Sequence, residues 1–484
     1  MKKARIRLGL FCFGFLAMMM HGWCQEGLPN MVMIIADDIG WDDMGCYGNQ
    51  VVKTPNMDRM ALEGVRFDNF YLTTSSCSPS RTSIISGRYP HNTGAAELHT
   101  PLPESILTFT QVLKEGGYFT AQSGKWHMGP AARNSFDLIY DKREEIGDGG
   151  EDKWLATLQE RPKEKPFFLW LAALDAHRPW GPNDFSGMHD PEAIQVPVYL
   201  ADAPDTRSDL AKYYDEIARF DYFVGKVEEE LEAQGVLDNT VIFILSDNGR
   251  PFPRSKTRMY DSGIKSPLIV KWPKGITEAG AVSTSMVSSV DLAPTFLDLA
   301  GLDIAGDFQG KSFLSVIEKP DLPFRKYVFA EHNWHDHEAY ERMVRTDHYM
   351  YVLNLRPSLS NTGPADSNAS PSYRDLKRLR DKGRLNAAQA DVFMQPRPFE
   401  EFYHCERDGE QLLNQASLKK YENELDHLRQ VLAQWRAETH DTAPQNLTYD
   451  WYDKETGQAL DVEQRRGDMP GGDAAMTTKA KGPF

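Results

Sequence analysis

Short apolar runs recur through the first part of the chain, at 31–36, 65–72, 166–174, 240–245 and 267–272, each bounded by turn-forming residues. Runs that are apolar at nearly every position, not at every second one, predict strands buried on both faces. Between them the pattern switches to helical spacing. Thr54-Pro55 opens a helix running to Leu62, with a capping residue and a proline in its first turn. Leu210, Tyr213, Ile217, Phe220, Val224, Val227 and Leu231 step by three and four, the apolar face of one long helix. Strand and helix in alternation predict an α/β fold over 28–320, a large, mostly parallel sheet between layers of helices.

From 321 the character changes. Hairpin-like strands at 327–331 and 342–355 precede an irregular Pro/Ser/Asn stretch at 357–372. A last amphipathic helix carries Leu418, Tyr421, Leu425, Leu428, Leu432 and Trp435 on one side. Together they predict a smaller C-terminal α+β domain with an antiparallel sheet over 321–456. The tail 457–484, rich in glycine, charge and small residues, is expected to be disordered.

At the N-terminus, Lys2, Lys3, Arg5 and Arg7 precede an apolar run at 8–20 and then Gly22-Trp23-Cys24-Gln25. This three-part layout predicts a signal peptide over 1–24 and export to the periplasm or the medium. The run is too short to span a bilayer. Trp23 stands where a lipid anchor on Cys24 wants a small residue, so neither lipidation nor stable membrane insertion is expected. Cys46, Cys77 and Cys405 then remain, too few for a disulfide framework. A net charge of −16 argues against a sequence-independent grip on nucleic acid, which needs a basic face. An anionic substrate would need a locally basic pocket.

Two polar pairs follow on two of the strands, Asp37-Asp38 after 31–36 and Asp247-Asn248 after 240–245. Ligands of open α/β sheets gather at the carboxyl ends of strands. Either pair alone would ordinarily end a strand or cap a helix. Meeting at one edge, three carboxylates and an amide oxygen form an all-oxygen set for a hard cation, Ca²⁺ or Mg²⁺, in preference to zinc. In the segment Ser76-Cys77-Ser78-Pro79-Ser80-Arg81, Pro79 sits where a first helical turn accepts proline. Cys77 is thereby placed at a helix N-terminus, where backbone N–H groups attract an anion. A lone cysteine before a helix is otherwise a small buried hydrophobe.

Cys77-Ser78-Pro79-Ser80-Arg81, with the Ser86-Gly87-Arg88 that follows, resembles the signature of the type I, formylglycine-dependent sulfatases. Gly124-Lys125-Trp126-His127-Met128-Gly129, Asp175-Ala176-His177-Arg178 and Lys256 resemble further elements of that family. Ser246-Asp247-Asn248-Gly249-Arg250-Pro251-Phe252-Pro253 and Trp435-Arg436-Ala437-Glu438-Thr439-His440-Asp441 are similar to its heparan N-sulfatase (sulfamidase)-like members. Two departures stand out. Lys256 replaces an arginine of the sulfamidase pattern, and the loop at His177 lacks the second histidine of many O-sulfatases.

The resemblance implies an alkaline-phosphatase-like sandwich that hydrolyses sulfate esters or N-sulfo groups of a carbohydrate, either glycosaminoglycan or algal polysaccharide fragments. It implies that a maturation enzyme converts Cys77 to formylglycine, and that one Ca²⁺, with Mg²⁺ as the alternative, is held by Asp37, Asp38, Asp247, Asn248 and residue 77. Asp247 would accept a proton from the attacking hydroxyl, while Arg81 and His127 orient it. Lys125 and Lys256 would neutralise the sulfuryl oxygens, and His177 would protonate the leaving group. His99 and His337 are candidate substrate contacts. Two other readings are a phosphoester or phosphonate hydrolase of the same superfamily, and a sulfated-glycan-binding protein whose Cys77 is never matured. The set Arg81, Lys125, His127, His177 and Lys256 argues against the second of these.

Overall fold

The computed structural model describes residues 27–304 and 306–484; the expected signal peptide 1–24, with Cys24, lies outside the described residues. The strands are β1 (Asn30–Ala36), β2 (Val65–Phe67), β3 (Phe70–Tyr71), β4 (Phe119–Gly124), β5 (Leu138–Tyr140), β6 (Phe167–Ala172) and β7 (Thr240–Ser246). They continue with β8 (Leu268–Lys271), β9 (Ala281–Ser283), β10 (Val287–Ser288), β11 (Val328–His332), β12 (Glu341–Arg345), β13 (Tyr349–Asn354) and β14 (Glu400–His404). Eight of them make one sheet in the order β5-β4-β6-β1-β7-β8-β2-β9. It is parallel throughout except for β8, which runs against both β7 and β2.

Both faces of this sheet are buried, as the uniformly apolar runs require. Val32, Ile34 and Ala36 of β1 point to one side, into a core shared with the helices Pro55–Glu63 and Pro204–Ala233. Met31, Met33 and Ile35 point to the other, into a core shared with the helices Cys77–Ser86, Phe109–Glu115 and Leu292–Leu299. The expected strand 65–72 breaks at the turn-forming Asp68-Asn69. Asp68 N donates to Ser283 O at 2.9 Å and keeps β2 in the large sheet, while β3 leaves it to pair with β10.

The second sheet, β11-β12-β13-β14, is antiparallel. Phe329, Val344, Tyr351 and Phe402 on one face pack against Leu425, Leu428, Leu432 and Trp435 of the helix Glu422–Glu438. The other face, through Val328, Ala330 and Met343, packs on Met259, Tyr260 and Ile264 and so seats this sheet against the first. Leu418 precedes the helix and is exposed, so it is not part of the apolar face expected for it. The stretch 357–372 is not wholly irregular: it holds the helix Ala365–Asn368 and the start of the helix Pro371–Asp381.

The tail expected to be disordered is instead laid against the body, with a helix at Gly472–Thr477. Arg88 donates to Met476 O at 2.8 Å and to Thr478 O at 2.7 Å, and Asn92 Nδ2 donates to Ala475 O at 2.8 Å. The anchors are buried side chains elsewhere that bind tail carbonyls, so the tail's own composition carries no sign of them. Among the described residues no helix is long and apolar enough to cross a membrane.

Candidate active site

β1 and β7 are parallel neighbours with Ala36 opposite Ser246, so Asp37-Asp38 and Asp247-Asn248 leave the sheet side by side. Asp38 N donates to Asp247 Oδ1 at 3.3 Å, and Asn248 Nδ2 donates to Asp247 Oδ1 at 2.7 Å and Asp38 Oδ1 at 3.0 Å. All four side chains are inaccessible to solvent. Above them a helix starts at Cys77 itself, after an extended Ser76, and is closed by a left-handed Gly87. Cys77 Sγ lies 3.2 Å from Asn248 Nδ2, 3.7 Å from Asp37 Oδ1 and 3.9 Å from Asp38 Oδ1.

Three cations answer the three carboxylates. Arg81, one turn along the helix from Cys77, donates from Nε to Asp247 Oδ2 at 2.7 Å and from Nη1 to Lys125 O at 3.2 Å. Lys125 binds Asp37 Oδ2, and Lys256 donates to Asp38 Oδ2 at 2.7 Å. Lys125 reaches this point because β4 ends in Gly124 at φ +97°, where a Cβ would lie 1.8 Å from Ala172 O. Only glycine fits that turn.

Burial raises the carboxyl groups, and the neighbouring cations decide how far. At Asp37 burial is outweighed by Lys125, His177, Arg81 and Lys256, which hold it below the usual range. At Asp38 burial prevails over Lys256 and the group is raised. Asp247 is pushed by burial up to about 6, with Arg81 opposing. Burial also pushes the Cys77 thiol up to about 12, so the unmodified side chain is a protonated thiol and not an activated nucleophile. Against the cost of burial, Asp37 and Asp38 hold Lys125 and Lys256 charged.

The histidines divide. His127 is depressed well below its ordinary value by burial and then by Lys125, and its Nε2 lies 2.6 Å from His99 Nδ1. His99 in turn donates its backbone N–H to Ser78 Oγ at 2.7 Å, next to Cys77 in the chain. His177 is about one-third exposed, with Nε2 3.9 Å from Asp38 Oδ2 and 3.7 Å from Asp366 Oδ2. Its Nδ1 donates to Arg178 O at 2.5 Å, which leaves Nε2 to face the carboxylates. Beyond His177 a cleft opens between Asp175, Arg178, Asn183, Glu216 and Arg219.

His337 does not join this group. It bridges back to His335 and, with His335, His332, Glu341 and Arg397, lines a neighbouring cavity. Its neighbour His335 is the member that reaches the site, with Nδ1 2.7 Å from Ser76 Oγ at the helix cap. His335 and His337 form an antiparallel bridge pair and line the same cavity, but only His335 touches the cap of the helix that begins at Cys77. Asp366, from the helix Ala365–Asn368, is a further pocket residue that sequence reading missed. It lies in a Pro/Ser/Asn stretch with no strand or motif to mark it, and its Oδ2 is buried without a hydrogen bond.

The residues fit a hard divalent cation. Ligand atoms of Asp37, Cys77 and Asp247 lie within 4.8 Å of one another, and Asn248 Oδ1 is buried without a partner, an acceptor left for an ion. Asp37, Asp38 and Asp247 are balanced by Arg81, Lys125 and Lys256. A divalent ion would therefore give this inner set of six side chains a net charge near +2, complementary to a sulfuryl group.

The chain matches the sulfatase family over residues 29–302 and the C-terminal region of N-sulphoglucosamine sulphohydrolase over 254–356. It is 31% identical to human N-sulphoglucosamine sulphohydrolase across 87% of this chain and 92% of that protein. It is 28% identical to an ulvan-active sulfatase of Formosa agariphila across 86% of this chain and 76% of that protein. Among solved structures it shares its fold with BT4656, captured in complex with its substrate D-glucosamine-2-N,6-O-disulfate. The TM-score is 0.64 at 23% identity, over 84% of this chain and 97% of that one. It also shares its fold with the phosphonate monoester hydrolase of Agrobacterium radiobacter, with a TM-score of 0.67 at 18% identity over 84% and 95%.

Proposed function

The chain belongs to the sulfatase family, and from that premise we propose that it removes sulfate from a sulfated carbohydrate through a formylglycine made from Cys77, assisted by Ca²⁺. The observation that carries this reading is the meeting of Cys77 with the Asp37, Asp38, Asp247 and Asn248 oxygens in one buried, cation-lined pocket. Ca²⁺, or Mg²⁺ in its place, would be held by those four residues and residue 77, and would supply charge neutralisation and Lewis acidity. Oxidised by a maturation enzyme and hydrated, residue 77 would carry two hydroxyls on one carbon, one to attack sulfur and one to expel sulfate.

The chain's own side chains do the rest. Arg81 holds Asp247 in place, and Asp247 accepts the proton of the attacking hydroxyl. Lys125 and Lys256, kept charged by Asp37 and Asp38, receive the negative charge that builds on the sulfuryl oxygens. Neutral His127, braced by His99, accepts or donates a hydrogen bond at residue 77 without adding charge. His177 delivers a proton from Nε2 to the leaving oxygen or nitrogen.

Glycosaminoglycan fragments are the first candidate substrates and ulvan-type algal fragments the second, following the named activities of the two relatives. Export by residues 1–24 completes the reading. The experiment is a screen of defined sulfated mono- and disaccharides, N-sulfoglucosamine among them, for release of inorganic sulfate, with phosphate esters and phosphonates alongside. Turnover of a sulfated sugar supports the proposal. Preferential turnover of the phosphorus compounds overturns it.

A further inference from the structure

The C-terminal segment 446–468 lies beyond both family-matched regions, which end at 356, yet it reaches the nucleophile. Thr448 Oγ1 donates to Glu97 Oε2 at 2.7 Å, and Arg466 pairs with the same carboxylate at 3.2 Å while binding Leu98 O. The next residue is His99, which contacts both Ser78 and His127. On the other side Trp451 N donates to Asp336 O at 3.0 Å, in the hairpin that carries His335. The segment thus ties together two of the loops that face residue 77.

Between these anchors Trp451 packs against a small apolar cluster made of Cys77, Leu98 and Trp334. Its ring centroid is 4.5 Å from that of Trp334, and the Arg466 guanidinium lies 4.7 Å from the Trp451 ring and 4.8 Å from the Trp334 ring. Trp451 stays only partly buried; its Nε1 is turned inward, away from solvent, and the exposed part of the side chain is apolar ring. A rigid, flat and partly exposed apolar ring, set beside a charged sulfuryl pocket, matches the C–H face of a pyranose.

We propose that segment 446–468 is part of the saccharide site, with Trp451 as the aromatic wall for a sugar ring and Arg466 as the residue that positions it. This rests on the saccharide reading above and adds a recognition element that belongs to this chain's own C-terminal segment. The test uses the full chain with Cys77→Ala, which binds without turnover. Calorimetry follows inorganic sulfate, N-sulfoglucosamine and a heparan disaccharide with N-sulfoglucosamine at its non-reducing end. Trp451→Leu keeps apolar volume without the flat face, and should weaken both saccharides about five- to tenfold while sulfate affinity holds. Trp451→Phe should restore saccharide affinity to within about twofold.

Saccharide affinity unchanged in Trp451→Leu overturns the proposal. So does an equal weakening of saccharide and sulfate, which marks a structural role. If the Cys77→Ala chain binds sulfate but neither saccharide, the saccharide reading itself fails and this inference falls with it.

Discussion

Lys256 is 1% exposed and its ammonium donates to Asp38 Oδ2 at 2.7 Å, deep in the pocket. At an effective dielectric of about 20 the gross attraction over that distance is on the order of 6 kcal/mol. Desolvation offsets part of it, and removing one partner of a buried pair typically costs about 3–5 kcal/mol. Lys256→Met keeps the stem's volume and deletes the charge. It leaves Asp38, already raised by burial, without its main opposing cation and with Asp37 still beside it. The single variant should therefore lose about 3–5 kcal/mol of stability at neutral pH, and Lys256→Met combined with Asp38→Asn should recover most of it.

Activity should not follow stability. Losing a preorganised cation on the sulfuryl oxygens lowers kcat by about 10²–10³. The double variant also gives up a cation ligand and should be no more active than the single one. Denaturant unfolding and sulfate release on the same preparations separate the two effects. A double variant no more stable than the single, or a single variant with kcat within about threefold of the parent, refutes the reasoning.

Cys77→Ala removes a side chain whose contacts are weak, so stability should change by less than about 1 kcal/mol while sulfate release is abolished; melting curves and turnover check both. The folded Asp247 is raised by burial to about 6 from an ordinary 3.8, so folding takes up a proton between those values. The cation-free protein should consequently lose stability as pH rises from about 4 to 6, and cation affinity should grow over the same interval; unfolding and calorimetry at stepped pH measure the two slopes. Chelation at neutral pH should abolish turnover, and added Ca²⁺ should restore it. Trp435 is fully buried, stacked 5.0 Å from Phe329 of the second sheet and edge-on 5.0 Å from Tyr89, so Trp435→Ala should cost about 3–5 kcal/mol.

Those parts of the fold that depend on local pattern were legible in the sequence. Apolar runs gave β1, β6, β7 and β8, the three-and-four spacing gave the helix Pro204–Ala233, and strand ends gave the acidic quartet. Cys77 at a helix start followed from Pro79. What escaped depends on long-range packing. Asp366 and His335 arrive from loops whose composition marks only a turn, and they meet the pocket because the second sheet docks on Tyr260 and Ile264. The break at Asp68-Asn69 is written in two turn residues that the apolar residues around them outweighed. The tail is held by Arg88, Asn92 and Gln309, all far away in sequence, so its own low hydrophobicity said nothing about its place.

The chemistry at residue 77 decides between this account and any other. The most direct measurement is the mass of the peptide that carries position 77, taken from preparations made with and without a formylglycine-generating enzyme and compared with sulfate release from a sulfated saccharide. The account predicts an aldehyde in place of the thiol, and turnover that rises in proportion to the converted fraction. Full turnover by protein that retains an intact Cys77 thiol would contradict it.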